Sequence, residues 1–97
     1  MSDSLVELRG RIDECDNKLV HLINERLKMC QDVGQFKYEN NIEIRDHNRE
    51  RKVIKKVLSE NEGPCPPDVL EKVFRYLIEA AVLLEEKGFS ASNTKKY

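Results

Sequence analysis

The sequence has no C-x-x-C pair and only three cysteines, Cys15, Cys30 and Cys65. An odd count without metal-ligand spacing supports neither a disulfide framework nor a zinc site and points to a reduced, cytoplasmic setting. There is no basic excess either: 17 Lys and Arg stand against 18 Asp and Glu, a formal net charge of −1. That balance argues against nucleic-acid binding. No apolar run approaches the ~20 residues a membrane helix needs, and no signal-peptide pattern begins the chain. The two histidines, His21 and His47, are isolated, with no ligand spacing around them. Strand-like alternation, internal repeats and low-complexity segments are also missing.

What is present is a helical pattern. The chain has 97 residues, 39% hydrophobic and 36% charged, enough for one small domain with a thin core. A monomer of that size is marginally stable, and oligomerisation is the ready remedy. The punctuation divides the chain into helices at about 4–39, 46–60 and 67–87, with 88–97 a frayed polar tail. Ser2, Asp3 and Ser4 offer caps for the first helix, and Glu39-Asn40-Asn41 ends its periodicity. Asp46 can cap the second, whose apolar face is Val53, Ile54, Val57 and Leu58. Gly63 and the prolines break it, Cys65 falls on an exposed loop, and Pro66-Pro67 pre-organise the third helix. That helix repeats apolar residues from Val69 to Leu84 at helical spacing.

The first helix carries the strongest signal. Leu5, Leu8, Ile12, Cys15, Leu19, Leu22, Met29, Val33 and Phe36 alternate steps of three and four, yet the seam position between Leu22 and Met29 is Arg26. Arg9, Asp16 and Lys37 flank the same stripe. Burying a guanidinium or ammonium without a counter-charge costs several kcal/mol, so Arg9, Arg26 and Lys37 must meet protein carboxylates or an anionic ligand. The helix would run roughly 50 Å, whereas a compact chain of this length has a radius of gyration near ~12.5 Å. It must project beyond its own globule and be covered by another chain.

Arg26 and Lys37 are eleven residues apart, so they share an azimuth with ~16 Å between their Cα atoms, and Cys30 and Val33 floor the space between them. Their long side chains can bracket one small anion, Arg26 as a bidentate fork and Lys37 as a point charge. Arg9 lies roughly 25 Å away along the axis and can join only from an antiparallel partner helix. Asp46, Arg49, Glu50 and Val53 share one face of the second helix. Glu85 follows Ala81 by one turn and comes to the edge of the core. Gly34, in mid-helix, costs about 1 kcal/mol relative to alanine and calls for a close helix approach, expected in a dimer.

The ordered set Leu8-Arg9, Ile12, Asp16, Leu19, Leu22-Ile23-Asn24-Glu25-Arg26, Val33-Gly34, Lys37, Ile44, Asp46 and Arg49-Glu50 resembles the all-helical class of chorismate mutases, over about residues 5–86. The resemblance implies an all-α fold of three helices per chain, intertwined as a homodimer with two sites, each completed by the other subunit's first helix. It implies an isomerase of aromatic amino acid biosynthesis, rearranging chorismate to prephenate without cofactor, metal or covalent catalysis. It assigns the substrate carboxylates to Arg26 and the partner's Arg9, a carboxylate and the ether oxygen to Lys37, and the ring hydroxyl to Asp46 and Glu50. Arg49 joins the charged surround, and Val33, Val53, Ile78 and Val82 supply apolar wall. Two positions depart from the common pattern: Ala81 stands where many members have serine, and Glu85 where many have glutamine. A glutamate donates to the ether oxygen only when protonated, and sequence does not show the sign of its pKa shift. A pericyclic rearrangement needs capture of a folded dicarboxylate and stabilisation of charge on the ether oxygen, with no nucleophile.

Two other readings fit the same residues. Isochorismate pyruvate-lyase uses a similar lysine and arginine set, although Asp46-x-x-Arg49-Glu50 speaks for the mutase. A helical dimerisation or regulatory module would use the charges only for pairing.

Overall fold

The computed structural model describes the backbone of residues 2–94 and the side chains of residues 4–87. Three helices follow one another in the chain, α1 (Ser2–Glu39), α2 (His47–Glu60) and α3 (Pro67–Thr94). The expected caps Ser2, Asp3 and Ser4 therefore fall inside the first turn of α1. At the other end α3 continues to Thr94, beyond the expected stop near Lys87. No proline follows Pro67, and adding residues to an existing helix costs little. The last three residues of the expected tail, 95–97, lie outside the described residues.

The turn after α1 has a specific cause. Asn41 takes a left-handed φ of 56°, which asparagine tolerates better than most residues. Ile42 N–H then donates to the Lys37 carbonyl at 2.8 Å and Asn41 N–H to that of Tyr38 at 3.4 Å, a Schellman closure that satisfies two terminal carbonyls of α1. The connector then runs back to Asp46, whose Oδ1 accepts from Arg49 N–H at 3.0 Å and starts α2. On the loop before α3, Cys65 is half-buried rather than exposed, because its carbonyl accepts from the Asn61 side chain at 2.9 Å and draws the loop inward.

α3 packs against both other helices, while α1 and α2 make no direct pairing among the described residues. Ile54, Ile78 and Ala81 are the buried apolar residues, and Glu85 is buried beside them at 8% exposure. Gly34 is where α1 and α3 approach most tightly. A Cβ built there would stand 2.9 Å from both Cβ and Cγ of Glu85 and 3.1 Å from its Cα. The close approach expected for Gly34 in a dimer is thus made within the chain.

The rest of α1 is uncovered. Leu5, Leu8, Ile12, Leu19, Leu22, Met29, Val33 and Phe36 are each roughly half exposed or more, and Cys15 on the same seam is exposed as well. A second stripe on α3, Val69, Val73, Tyr76 and Leu83, is also open. The molecule measures 59 × 37 × 14 Å with a radius of gyration of 17.3 Å, against ~12.5 Å for a compact chain of this length. Its accessible surface is 8006 Å², roughly 2,300 Å² more than a compact monomer of its mass would expose. No described helix is long and apolar enough to cross a membrane.

Candidate active site

One cavity of about 150 Å³ opens where the C-terminal half of α1, the connector, α2 and α3 meet. Arg26, Val33 and Lys37 come from α1, Asp46 from the connector, Arg49, Glu50 and Val53 from α2, and Ile78, Val82 and Glu85 from α3. Helical spacing explains the convergence. Residues 26, 33 and 37 share one face of α1, while 78, 82 and 85 share one face of α3. Cys30 lies in the wall as floor, and Ile44 joins it from the connector.

Two expected residues are not at this cavity. Arg9 is exposed on the projecting half of α1, where every described residue from Ser4 to Leu22 is exposed. Ala81 is 5% exposed and absent from the lining, its short methyl packed into the helix interface rather than reaching the wall. A second, more open hollow of about 340 Å³ lies outside the connector and includes Lys37, Arg45, His47 and Arg51. Of its cations, Arg45 meets Glu50 and Glu79, Arg51 meets Asn48, and Lys37 is shared with the smaller cavity.

The charged groups in the smaller cavity are held in distinct ways. Arg26 rests 5.8 Å above the Phe74 ring centroid, a cation–π contact that supports the guanidinium while leaving its edge open. Its Nη1 also reaches Cys30 Sγ at 3.9 Å. Lys37 Nζ donates to the Ile44 carbonyl at 2.7 Å, which aims it across the cavity with two of its three N–H bonds still available. Asp46 uses Oδ1 as the cap of α2. Glu50 is paired with Arg45, Nε to Oε2 at 2.8 Å, so Arg26, Lys37 and Arg49 are the cations left facing the space.

Burial shifts two groups. It pushes the Glu85 carboxyl above the ordinary range, with Glu86 adding to the rise and the Lys37 charge opposing it. It also raises the Cys30 thiol, against the pull of Arg26, so Cys30 is a neutral floor and not a thiolate nucleophile. Outside the cavity, the Arg45 hydrogen bond holds Glu79 below the ordinary carboxylate range.

Sequence reasoning overlooked three contributors. The Ile44 carbonyl is a backbone group, invisible in residue type, and Phe74 looked like ordinary core. Arg45 contacts Glu79 across 34 positions, a separation that carries no local pattern.

Fold and cavity together define an all-helical protein with an apolar-walled cavity that holds three cations, Arg26, Lys37 and Arg49, and three carboxylates, Asp46, Glu50 and Glu85. Residues 8–86 match the family described as chorismate mutase type II, and the chain belongs to that family. It is 33% identical to the chorismate mutase of Methanocaldococcus jannaschii, covering 98% of this chain and 97% of that one. A bifunctional chorismate mutase/prephenate dehydratase of Aquifex aeolicus is 35% identical over 88% of this chain, which spans only 25% of that longer protein. The solved chorismate mutase (Form II) of Thermus thermophilus superposes with a TM-score of 0.83 at 28% identity, covering 86% of this chain and 94% of that one.

Proposed function

We propose that two copies of this chain intertwine through α1 and that each of the resulting sites rearranges chorismate to prephenate. The observation that carries this reading is a cavity in which Arg26, Lys37 and Arg49 face apolar walls, with Cys30 beside them kept as a neutral thiol by burial. Such a site can bind a dianion in one conformation and do little else, and a pericyclic reaction requires little else.

Surface and length support the dimer. A chain with roughly 2,300 Å² of excess surface and a half-exposed heptad seam is stabilised by burying that seam against its own copy. In an antiparallel pair the projecting N-terminal half of each α1 passes the partner's cavity and brings Arg9 to it. Arg26 and the partner's Arg9 then take the two carboxylates, each as a charge-assisted pair. Lys37 holds a carboxylate and the ether oxygen, and Glu50 with the free oxygen of Asp46 accepts the ring hydroxyl.

As the carbon–oxygen bond breaks, negative charge grows on the ether oxygen. Lys37 stabilises it by charge and a protonated Glu85 by donating a hydrogen bond, both fixed before reaction. Burial of the Glu85 carboxyl supports the protonated form. An ionised Glu85 would instead repel the developing charge.

The test is the loss of chorismate absorbance on adding purified protein at about pH 5.5 and about pH 7.5, followed by separation of the products. Prephenate formed faster at the lower pH is the expected result. No turnover at either pH refutes the activity, and turnover independent of pH removes Glu85 from the mechanism.

A further inference from the structure

We propose that Arg45 is a positioning residue for this reaction: it orients Glu50 toward the substrate's ring hydroxyl and neutralises it, so that a carboxylate can face a dianionic ligand. The inference rests on the chorismate mutase reading above and concerns a residue outside the cavity lining.

Arg45 sits in the connector immediately before the cap of α2. Its guanidinium approaches Glu50 of α2 from Nε to Oε2 at 2.8 Å and from Nη2 to Oε1 at 3.1 Å. Its other edge meets Glu79 of α3, Nη1 to Oε1 at 3.1 Å, with Nη2 on Oε2. One planar group therefore ties the connector, α2 and α3 together, a geometry that matches arginine and not lysine.

The two carboxylates are not equivalent. Glu79 is 56% exposed, and an ion pair so open to water contributes little to stability. Glu50 is only 14% exposed and lines the cavity. Left alone, it would set a negative charge against a substrate carrying two. Paired with Arg45, its oxygens are fixed in direction and still have lone pairs to accept a hydroxyl hydrogen. His47 Nδ1 also stands 3.6 Å from Glu50 Oε1, but its side chain is 69% exposed and adds at most a weak, screened contact. Arg45 thus leaves Arg26, Lys37 and Arg49 free for the substrate's own charges.

Steady-state kinetics on the full chain test this with two substrates, chorismate and an analogue lacking the ring hydroxyl, for the wild type, Arg45→Gln, Arg45→Lys and Glu79→Gln. The expected result for Arg45→Gln is a loss in kcat/KM on both dianionic substrates, because Glu50 is no longer neutralised, and a further loss of roughly tenfold on chorismate alone, because Glu50 no longer faces the ring hydroxyl. Arg45→Lys restores part of the preference, and Glu79→Gln, which spares the pairing with Glu50, keeps it. Melting temperatures identify a variant that fails to fold, in which case Arg45→Lys carries the same comparison. Equal losses on both substrates, or a Glu79→Gln variant that behaves like Arg45→Gln, would overturn the proposal and leave a structural strap. A wild type inactive on chorismate defeats the function and this inference together. An active wild type with an undiscriminating Arg45→Gln defeats the inference alone.

Discussion

A glutamate placed at Leu19 should take the protein apart. For the partner's Arg9 to reach the level midway between Arg26 and Lys37, antiparallel α1 helices must pair with their two-fold axis near residue 20, so Leu19 stands level with the partner's Leu22 and within one turn of its own copy. In one chain these leucines are 53% and 60% exposed. Covering the open half of a leucine stabilises by about 1 kcal/mol, so Leu19→Glu forfeits about 2 kcal/mol over the two copies. It also draws two like-charged carboxylates out of water, at a cost of several kcal/mol even after relaxation. A total of at least ~5 kcal/mol weakens the dimer a few thousandfold. Sedimentation over a concentration series reads that shift directly, and chorismate turnover over the same series should fall with the dimer and recover at high protein concentration. Lys28→Glu, on the opposite face of α1, is the control and should change neither. A Leu19→Glu protein that sediments like the wild type, or that dissociates and keeps full kcat/KM, refutes the shared site.

Other expectations follow from the same geometry. Arg26→Ala should lower kcat/KM by at least ~2 kcal/mol of transition-state stabilisation, because a charge-assisted contact is lost. Unfolded together and refolded, equal amounts of inactive Arg9→Ala and Arg26→Ala should recover about a quarter of wild-type activity, since half the dimers are mixed and each holds one intact site; no recovery would place both arginines in one chain's site. For Glu85→Gln, turnover should become flat with pH and rise near pH 7.5. Because burial raises the folded carboxyl above its ordinary 4.5, its contribution to stability is present below that value and lost as pH rises through the folded one. The glutamine variant should therefore melt higher than wild type at pH 7.5 but not at pH 4. Gly34→Ala gains about 1 kcal/mol of helix propensity, yet overpacking against Glu85 at 2.9 Å costs ~1–3 kcal/mol, so the net should be a loss of up to ~2 kcal/mol, read by thermal melting, with kcat falling as Glu85 is displaced.

The legible parts of this molecule were those set by period and by local chemistry. Steps of three and four located α1, Asp46 announced the start of α2, and helical spacing alone put Arg26, Val33 and Lys37 on one wall. The illegible parts depend on approach between distant segments. Gly34 was conspicuous, but what stood above it was readable only once α3 was in place. Arg45 reaches Glu79 across the fold, and Lys37 is aimed by a carbonyl that any residue at position 44 would supply. Burial of Glu85, which decides the sign of its shift, depends equally on how α1 and α3 meet. Cys65 and the end of α3 were misjudged for a simpler reason, since composition alone favours exposure for a proline-rich loop and a polar end.

The contact between Gly34 and Glu85 divides the site into a part that can vary and a part that cannot. Glutamate and glutamine have nearly the same shape, so exchanging one for the other at position 85 asks nothing of the neighbouring helix. Any side chain at position 34 asks for room that α3 does not leave. Under the proposed mechanism a single replacement at position 85 would therefore move the working pH without repacking the two helices, provided the position beneath it stays bare. The missing methyl group at position 34 is what leaves room for either side chain at position 85.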